Sequence, residues 1–444
     1  MLVAAATFVA ADTNVTALSY NDALQAVLRG VTGLDAEPIP LEHSMGRALA
    51  RPVTSPIALP PWDNAGMDGY AVRRADIQGA STTVPVSLRV IASIAAGADS
   101  TTLPHIVAGT TARIMTGAPV PPGCEAVVRI EDTDRGLDVV TIVNDRDLGG
   151  RGNVRPSGED VAAGAVVFDA GETIGASHLG TLASIGAATV HVHRRPRVTV
   201  LSSGDELVLL DQFTEVLAGR RIISSTTYAL PAMLRQAGAD VRVLPLLPDD
   251  LTVVTDAIRD AVGDGCDLLV TTGGVSVGAH DYTRDALLAL GGTLGFWRAR
   301  IRPGGPIGTG KVLGVPWLGL PGNPVSTMVT GALFAWPFIR ALGGHRGRYH
   351  MPVRVRVSDA FDTAAPLTHF VRVTLSPASD GMLDATLAGA QGSNLLRTMA
   401  VANALLVVPE PINRVESGMV LDALLIPGSD FLAAVSGDSS RAQT

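Results

Sequence analysis

Residues 196–343 alternate between short apolar runs and amphipathic segments, and this alternation restricts the fold more than any other feature of the chain. Short apolar runs predict buried strands, and segments with helical periodicity predict helices. We expect strands at 197–201, 241–246, 267–271 and 316–320, and helices near 226–237, 250–262 and 282–290. Strands that alternate with helices form a parallel sheet covered on both faces, so the pattern predicts a doubly wound α/β domain.

One strand of this domain leads into a glycine-rich loop. The loop reads Thr271-Thr272-Gly273-Gly274-Val275-Ser276-Val277-Gly278-Ala279-His280-Asp281, and a helix is expected to follow. Glycine has no side chain, so backbone N–H groups in such a loop can approach a phosphate closely. An ordinary tight turn is the alternative, but three glycines followed by a carboxylate exceed what a turn needs. The loop therefore predicts an anion or nucleotide site that includes Gly273, Gly274, Ser276 and Gly278.

Two further loops follow strands of the same predicted sheet. Ser202-Ser203-Gly204-Asp205-Glu206 follows one strand, and Pro321-Gly322-Asn323-Pro324-Val325-Ser326 follows another. Open α/β sheets bind their ligands where the carboxyl ends of the strands meet. We therefore expect the carboxylates to accept hydrogen bonds or hold Mg²⁺, and Ser326 with nearby N–H groups to complete an anion site.

A row of arginines lies between these loops. In an extended strand Arg298, Arg300 and Arg302 would share one face and suit oxyanions. A solvated edge strand is the alternative reading. The following segment, Gly305–Val312, resembles a P-loop but lacks the required Ser or Thr, and Val312-Leu313-Gly314 predicts a hairpin instead.

Two acidic loops lie upstream of the predicted sheet. The segment at 62–71 contains Asp63 and Asp68, and the segment at 155–160 contains Glu159 and Asp160 beside Arg155. Each could bind a divalent cation through oxygen ligands, or could form a solvated turn. From the residues alone, the first loop is evenly balanced and the second favours the turn.

Composition excludes several classes of protein. The net charge is −8, which argues against general nucleic-acid binding, and the 444 residues include a single lysine, Lys311. The two cysteines, Cys124 and Cys266, form no disulfide framework, so we expect a reducing cytoplasmic setting. The first eleven residues are apolar but lack the basic segment of a signal peptide. The apolar stretch at 327–343 is interrupted, so it predicts a buried helix rather than a membrane span.

The rest of the chain is expected to be largely β, apart from a helix within 16–30 that Ser19 caps and Gly30 ends. Short strands with frequent turns predict a β-rich domain across 82–143. The candidates there are 84–86, 88–91, 112–115, 126–130 and 139–143. After residue 350, alternating residues at 353–357 and 371–375 predict half-exposed strands, and 404–408 predicts a more buried one.

Taken together, these motifs resemble the MoeA family of molybdopterin molybdenumtransferases, which includes the gephyrin E domain. The resemblance is carried by 63–72 (DNAGMDGYAV), 113–128 (RIMTGAPVPPGCEAVV), 157–167 (SGEDVAAGAVV), 202–207 (SSGDEL), 271–283 (TTGGVSVGAHDYT), 320–326 (LPGNPVS) and 391–394 (QGSN). It implies an elongated N-terminal domain formed by 15–50 and 145–195, and an inserted β-rich domain at 51–144. A molybdopterin-binding three-layer α/β domain at 196–343 and a C-terminal β barrel at 350–428 would follow.

The resemblance also implies a reaction: Mg²⁺-dependent insertion of molybdate into adenylylated molybdopterin, with release of AMP. It implies a homodimer whose cleft both subunits line, and molybdopterin adenylyltransferase and molybdoenzymes as further partners. Carried over position by position, the catalytic candidates are Asp68, Glu206 and Asp281, and the metal candidates are Asp160, Glu206 and Asp281. The substrate-binding candidates are Thr116, Gly273, Gly274, Ser276, Gly278, Arg298, Arg302, Pro321, Gly322, Asn323, Ser326, Arg372 and Ser393.

The chain departs from the family pattern at several positions, among them Pro156-Ser157, where arginines are common. Ser224 stands where the family usually has aspartate, and Gly305 stands where it often has lysine. One acidic contact and one cation are therefore missing, which leaves open a weakened enzyme or a non-catalytic paralogue that binds molybdopterin or its adenylate. The related adenylyltransferase is less consistent with the chain, because those enzymes lack the segments around 1–190 and 345–444.

Overall fold

The computed structural model describes residues 17–274, 282–426 and 428. The predicted site residues Ser276, Gly278 and Asp281 lie outside the described residues.

The N-terminal region is mostly β. Its elements are α1 Tyr20–Leu28, β1 Ala36–Pro40, β2 Val53–Thr54, β3 Asn64–Ala65, β4 Gly69–Val72, α2 Arg74–Ile77, β5 Val86–Ile94, β6 Thr110–Ile114, β7 Ala126–Arg129, β8 Val139–Ile142, β9 Val154–Arg155, β10 Val166–Phe168, α3 Ala176–Ser184 and β11 Thr189–His193. Strand β1 pairs with β11 and β2 pairs with β10, while the chain between them forms a sheet of order β7-β4-β6-β5-β8. Residues before and after the five-stranded sheet thus pair with each other. The predicted domain boundaries stay predictions.

Within this region one predicted strand was wrong. Val84 and Pro85 precede β5 and lie in a turn, where the Val84 N–H donates to the carbonyl of Ser81. Proline has no N–H to donate to a strand ladder, which explains why pairing begins only at Val86. The predicted strand at 88–91 is part of β5, which runs on to Ile94.

Helix α1 is shorter than the predicted segment, but its ends follow the predicted signals. The side chain of Ser19 accepts a hydrogen bond from the N–H of Asp22, which caps the helix. Gly30 lies just beyond the last turn with φ +73°, a conformation that glycine adopts without strain. The helix buries Ala23, Leu24 and Val27 in the core of the α/β region.

The α/β region contains one six-stranded sheet. Its elements are β12 Arg197–Ser202, β13 Leu207–Val208, α4 Phe213–Leu217, β14 Ile222–Ile223, α5 Thr226–Gln236, β15 Asp240–Val243, α6 Leu251–Gly263, β16 Leu268–Thr272, α7 Tyr282–Ala289, β17 Thr293–Leu294, β18 Ile301–Arg302, β19 Gly308–Val312, β20 Val315–Leu320, α8 Pro324–Thr330 and α9 Trp336–Leu342. The sheet order is β15-β12-β16-β20-β19-β17.

The sheet is mixed rather than purely parallel. Strands β15, β12, β16 and β20 are parallel, whereas β19 and β17 run antiparallel at one edge. The hairpin predicted at residues 312–314 causes the reversal, because Leu313 (φ +50°) and Gly314 (φ +86°) form a tight turn between β19 and β20. A strand therefore follows Lys311 where a P-loop would need a helix.

Helices cover both faces of this sheet, as the sequence predicts. In β16, Leu268 and Val270 belong to a core that includes residues of α1, α5, α8 and α9. Leu269 points to the opposite face and packs with residues of α6 and α7. Because neighbouring residues of a strand point to opposite faces, a continuous apolar strand joins two cores. The three-layer arrangement is confirmed.

The apolar segment near the end of this region is a core helix. Helices α8 and α9 are joined by a π-helical stretch, Gly331–Ala335. Pro337 lies just beyond it and lacks the N–H of a regular helix, which accounts for the local widening. The run Pro324–Leu342 is long and apolar enough to cross a membrane, but 83% of its most apolar window is buried within the protein.

The C-terminal region is a closed barrel. Its elements are β21 Pro352–Val357, β22 Phe361–Asp362, β23 Thr368–Pro377, β24 Leu383–Leu387, α10 Leu396–Val401, β25 Ala404–Val408, β26 Arg414–Val415 and β27 Val420–Leu425. The order β23-β24-β21-β27-β25 closes because β25 also pairs with β23.

Strand β23 is more buried than the half-exposed strand that the sequence predicts. Val371 and Val373 face the barrel interior, whereas Phe370 packs into the core of the α/β region. Its ring lies edge-on to Tyr20 of α1, with centroids 4.9 Å apart. The outer face of the barrel is covered because the barrel packs directly on the neighbouring region.

Candidate functional site

Three loops meet at the carboxyl edge of the sheet. Ser202, Thr272 and Leu320 end neighbouring parallel strands and pair in register. The N–H of Gly273 donates to the carbonyl of Leu320 at 3.1 Å. A Cβ on Gly322 would lie only 3.5 Å from the Cα of Gly273. The start of the glycine loop and the 321–324 turn are therefore side by side, as predicted.

The glycine loop begins with an unusual backbone. Gly273 and Gly274 have φ values of +82° and +62°, so both lie in the left-handed region. Gly273 still donates its N–H to the neighbouring strand, and two successive residues in this region are adopted without strain only by glycine. The described start of the loop thus has the conformational freedom that the sequence predicts for it.

The hydroxyl groups at these strand ends make hydrogen bonds within the protein. Ser202 and Thr272 share a hydrogen bond of 2.7 Å between their hydroxyl oxygens. The indole N–H of Trp317 donates to the hydroxyl of Thr271 at 3.1 Å. These buried groups join β12, β16 and β20, so they stabilise the edge and leave ligand contacts to the loops.

Glu206 extends from the loop that follows β12. Its side chain is exposed and folds over Gly204, where an added Cβ would lie 2.8 Å from a carboxylate oxygen of Glu206. Gly204 also has φ +150°, so a larger residue would be strained and would displace the carboxylate. Gly204 thus leaves room for the carboxylate of Glu206.

A second acidic residue that sequence reasoning missed lies beside this loop. The N–H of Asp249 donates to the carboxylate of Asp205 at 3.3 Å, and the N–H of Asp205 approaches the Asp249 carboxylate at 3.5 Å. Asp249 follows β15, which neighbours β12, so the strand-end rule could have found it. No group of three or more His, Cys, Asp or Glu residues able to hold a metal ion occurs in the described part of the chain.

The turn before α8 provides an exposed polar surface. Pro324 occupies the first helical turn, and Asn323 is at the cap position without a side-chain capping bond. Gly322 and Asn323 are exposed, whereas Ser326 is buried. The N–H of Val325 donates to the carbonyl of Ser393 at 3.2 Å, so the barrel region reaches the same turn.

Arg372 holds that connection from within the barrel. Its guanidinium donates to the carbonyls of Ala390 and Gly392 at 3.0 and 3.1 Å, and to the hydroxyl of Thr398 at 2.7 Å. The side chain is fully buried, and burial lowers its pKa. These bonds anchor the turn that carries Ser393. Direct contact of Arg372 with molybdate or the substrate phosphate stays a prediction. Its Nη1 has no partner among the described residues.

Only two of the three arginines in the predicted row are exposed. Arg300 donates to the carboxylate of Glu410 at 3.2 Å and to the carbonyl of Ala17 at 2.6 Å, so it is neutralised. Arg298 and Arg302 are exposed. The prediction of three free guanidiniums was therefore wrong for Arg300, because the barrel supplies a carboxylate that sequence spacing does not reveal.

The arginine segment nevertheless reaches the candidate edge. Strand β19 is antiparallel to β20, so the residues before Gly308 lie at the carboxyl end of β20. A Cβ on Gly304 would clash with the side chain of Thr330 in α8. The loop that carries Arg302 therefore packs on α8, beyond the turn at 321–324.

Ser224 and Gly305, which depart from the family pattern, both lie close to other residues. Ser224 is buried before α5 and shares a hydrogen bond of 2.6 Å with the hydroxyl of Thr227. A Cβ on Gly305 would lie 3.3 and 3.4 Å from the carbonyl oxygens of Ile301 and Ala299. A larger residue at position 305 thus requires a small backbone adjustment.

The remaining motifs form a second cluster in the N-terminal region. Asp68 accepts hydrogen bonds from both the N–H and the hydroxyl of Thr116, each at 2.7 Å. These bonds, the backbone one first, hold the pKa of Asp68 below its ordinary value of 3.8. Asp68 is exposed and ionised at neutral pH.

Strand pairing brings the two acidic loops together. Asn64 of β3 pairs with Arg155 of β9, and the N–H of Ser157 donates to the carboxylate of Asp63 at 2.7 Å. Asp160 follows in the same loop, where its N–H donates to the carbonyl of Leu59. Sequence reasoning predicted each loop separately but did not predict that they pair.

The predicted site residues thus divide into two groups. Within the described part of the chain, no hydrogen bond or ion pair of Asp68, Thr116 or Asp160 reaches the strand ends near Glu206 and Gly273. One group offers glycine backbone, Asn323 and a carboxylate at the sheet edge, and the other offers a hydrogen-bonded carboxylate. These features define a multidomain protein whose α/β region carries a candidate ligand site at its strand ends.

Comparison with known proteins gives the family. A family model for the MoeA N-terminal region (domain I and II) matches residues 18–186. A model described as "Probable molybdopterin binding domain" matches 199–341, and the MoeA C-terminal region (domain IV) matches 354–426. The chain belongs to the MoeA family, and the resemblance drawn from its motifs is confirmed.

Relatives and solved structures agree with this assignment. Molybdopterin molybdenumtransferase 2 of Mycobacterium tuberculosis is 38% identical and covers 86% of this chain and 93% of its own length. The molybdopterin molybdenumtransferase of Nostoc sp. is 35% identical over 88% and 89% of the two chains. A crystal structure of a molybdopterin biosynthesis MoeA protein from Pyrococcus horikosii has a TM-score of 0.76 at 27% identity, and covers 93% of this chain and 100% of its own.

Proposed function

We propose that this protein is a cytoplasmic molybdopterin molybdenumtransferase that inserts molybdate into adenylylated molybdopterin and releases AMP. The observation that carries the proposal is the register of Ser202, Thr272 and Leu320, which places three loops of the family motifs at one edge. Family membership and the names of relatives such as the Nostoc protein support the reaction class.

The residues at the sheet edge suit a substrate that carries phosphates. Gly273 and Gly274 allow close approach of a phosphate to the backbone, and Asn323 provides an amide that its helix does not use. Arg298 and Arg302 supply the cations that an oxyanion such as molybdate requires. The glycine loop continues through Ser276 and Gly278, which we assign to the same substrate contacts.

Glu206 and Asp281 are the acidic groups that we assign to the chemistry at this edge. An ionised carboxylate can orient a nucleophile or accept its proton when the adenylyl linkage is cleaved. Arg372 acts indirectly in this proposal, since it holds the turn whose Ser393 contacts the start of α8. Pro321, Gly322 and Ser326 complete that turn.

The cluster of Asp68 and Thr116 completes the site from a second subunit. Among the described residues, the hydrogen bonds of Asp68 and Thr116 stay within the N-terminal region, and we infer that one subunit alone does not join the two groups. A homodimer in which each cleft takes its sheet edge from one subunit and Asp68 from the other reconciles both sets of motifs. Molybdopterin adenylyltransferase and molybdoenzymes remain the expected partners upstream and downstream.

Mg²⁺ is the metal that we assign to the reaction. Asp160 lies with the Asp68 cluster, and the described carboxylates at the sheet edge form no metal-binding group. Bound Mg²⁺ would neutralise the charge that develops on the leaving phosphate. Asp160, Glu206 and Asp281 are the residues we assign to it, and no other step depends on the metal.

The direct test is to incubate the purified protein with adenylyl-molybdopterin and molybdate and to measure AMP release. AMP release that requires molybdate and increases with Mg²⁺ supports the proposal. The alternative is a non-catalytic paralogue, which Ser224 and Gly305 favour because they remove an acid and a cation. Tight binding of adenylyl-molybdopterin without AMP release would establish that alternative.

A further inference from the structure

A separate cavity of ≈ 520 Å³ lies between α1 and the antiparallel edge of the sheet. One wall is the turn that follows α1, and the other is formed by β17, β19 and the start of β20 at Pro316. The candidate site follows Leu320, at the other end of β20. Pro316 lies four residues before Leu320, which is about 13 Å along the strand at 3.3 Å per residue. None of the described candidate-site residues lines the cavity, so the two are distinct.

Two cations line this cavity. Arg29 follows the last turn of α1, and Lys311 pairs with Thr293 across the edge of the sheet. Both are exposed, and no salt bridge engages either of them in residues 17–274 and 282–426. Unpaired cations that converge on a concave surface suit a phosphate or carboxylate group.

The rest of the lining is complementary to the other parts of a nucleotide. Phe338 and Leu342 of α9 and Val27 of α1 belong to the apolar core and give the cavity an apolar floor. Asp35 is an exposed carboxylate on the rim, where it can accept hydrogen bonds from hydroxyl groups. The volume lies within the usual range of small-molecule sites.

We propose that this cavity binds a phosphate-bearing metabolite of the size of a nucleoside monophosphate. The phosphate contacts Arg29 and Lys311, the sugar hydroxyls contact Asp35, and the base lies on the apolar floor. This orientation keeps the phosphate away from the carboxylate, which would repel it. The site is independent of the catalytic edge and does not require the proposed reaction.

The single lysine of the chain allows a local measurement. An amine-reactive reagent applied to the full-length protein labels Lys311 as the only lysine, and peptide mass analysis separates it from the α-amino group. AMP is the probe, and we expect it to slow Lys311 labelling about threefold at twice its dissociation constant. Inorganic phosphate and adenosine should each protect more weakly, because each makes only part of the contacts.

Variants determine whether protection arises in this cavity. Arg29→Met and Asp35→Asn should reduce the protection by AMP, whereas Arg89→Met, an exposed arginine of β5, should not. Glu206→Gln should leave protection intact, because Glu206 does not line the cavity. No protection at millimolar AMP, unchanged protection in Arg29→Met, or loss of protection in Glu206→Gln would each overturn the proposal.

Discussion

The sheet edge and the Asp68 cluster present catalytic candidates in different ways. At the sheet edge, regular parallel strands end in register, and glycines bring backbone close to the ligand position. In the Asp68 cluster, short strands and turns from distant parts of the chain hold a single carboxylate through Thr116. The first arrangement is an extended candidate surface, whereas the second presents the Asp68 carboxylate in a fixed position.

This difference suggests a division of labour. In the proposed enzyme the sheet edge binds the substrate, and the Asp68 cluster of the second subunit completes the cleft.

The largest effect is expected from the carboxylates of the sheet edge. Glu206→Gln or Asp281→Asn should lower AMP release at least about tenfold, equivalent to roughly 1.4 kcal/mol of barrier. Glu206 is exposed and makes no ion pair among the described residues, so thermal unfolding should be nearly unchanged. Turnover at the rate of the unmodified protein would remove the substituted residue from the mechanism.

Mixing inactive subunits tests whether the two halves come from different chains. Asp68→Asn and Glu206→Gln subunits, co-expressed with different tags, should recover about a quarter of normal AMP release, because half the dimers would carry one intact cleft. Glu206→Gln mixed with Asp281→Asn is the matched control and should recover nothing, since the proposal assigns both residues to the half of the cleft that one subunit contributes. Equal failure of both mixtures would assign each cleft to one subunit.

The sequence predicted the sheet edge better than it predicted the Asp68 cluster. Strand and helix periodicity located Glu206, Gly273 and the 321–326 turn, because the carboxyl ends of parallel strands always share an edge. No periodicity predicts that Asn64 pairs with Arg155 or that Thr116 bonds to Asp68, since these contacts join segments far apart in sequence. The resemblance to the family supplied Asp68 and Thr116, and it could not supply their contacts.

Two arginines also make contacts that the sequence does not predict. Spacing placed Arg300 in a row of free cations, but Glu410 of the barrel neutralises it. Arg372 is buried and holds the turn that carries Ser393, so its contact with the substrate stays a prediction. Sequence identifies a charged residue, whereas the packing of one region on another decides whether its charge is free.

A substitution of Arg372 should therefore affect stability as well as activity. Arg372→Met would leave the carbonyls of Ala390 and Gly392 and the hydroxyl of Thr398 without this donor. We expect a loss of about 2–4 kcal/mol in the free energy of unfolding, measured by urea denaturation, and a higher molybdate requirement. Arg397→Met, an exposed neighbour, should change neither. Weakened molybdate use with unchanged stability would instead support direct contact with substrate.

A smaller effect is expected from the partner of Asp68. Thr116→Val removes the hydroxyl bond but keeps the backbone bond, so the pKa of Asp68 should rise toward its ordinary value. Activity that needs ionised Asp68 is lost as pH falls through that pKa, and the acid limb of AMP release should move to higher pH. Thr116→Ser should restore the original profile. An acid limb that does not move would exclude ionisation of Asp68 as its cause.

The smallest effect is expected from restoring the family residues at the sheet edge. Gly305→Lys adds a cation beside the loop of Arg302, and it should lower the molybdate concentration for half-maximal insertion by a few-fold. The gain should be roughly 1 kcal/mol or less, because Arg302 and its surroundings are solvated. The carbonyls of Ile301 and Ala299, 3.3 and 3.4 Å from the new Cβ, oppose part of this gain. Gly305→Ala is therefore the control, since it adds the same Cβ without a charge.

Adding the missing acid extends the same test. Ser224→Asp should raise turnover further when combined with Gly305→Lys, provided the buried position before α5 accepts a carboxylate beside Thr227. Arg300→Ala should not raise the molybdate requirement, because Glu410 already neutralises Arg300. If neither family residue improves molybdate use and the unmodified protein is as active as an ordinary relative, Ser224 and Gly305 do not weaken the enzyme. In that case Arg298 and Arg302 alone supply the charge that the sheet edge needs.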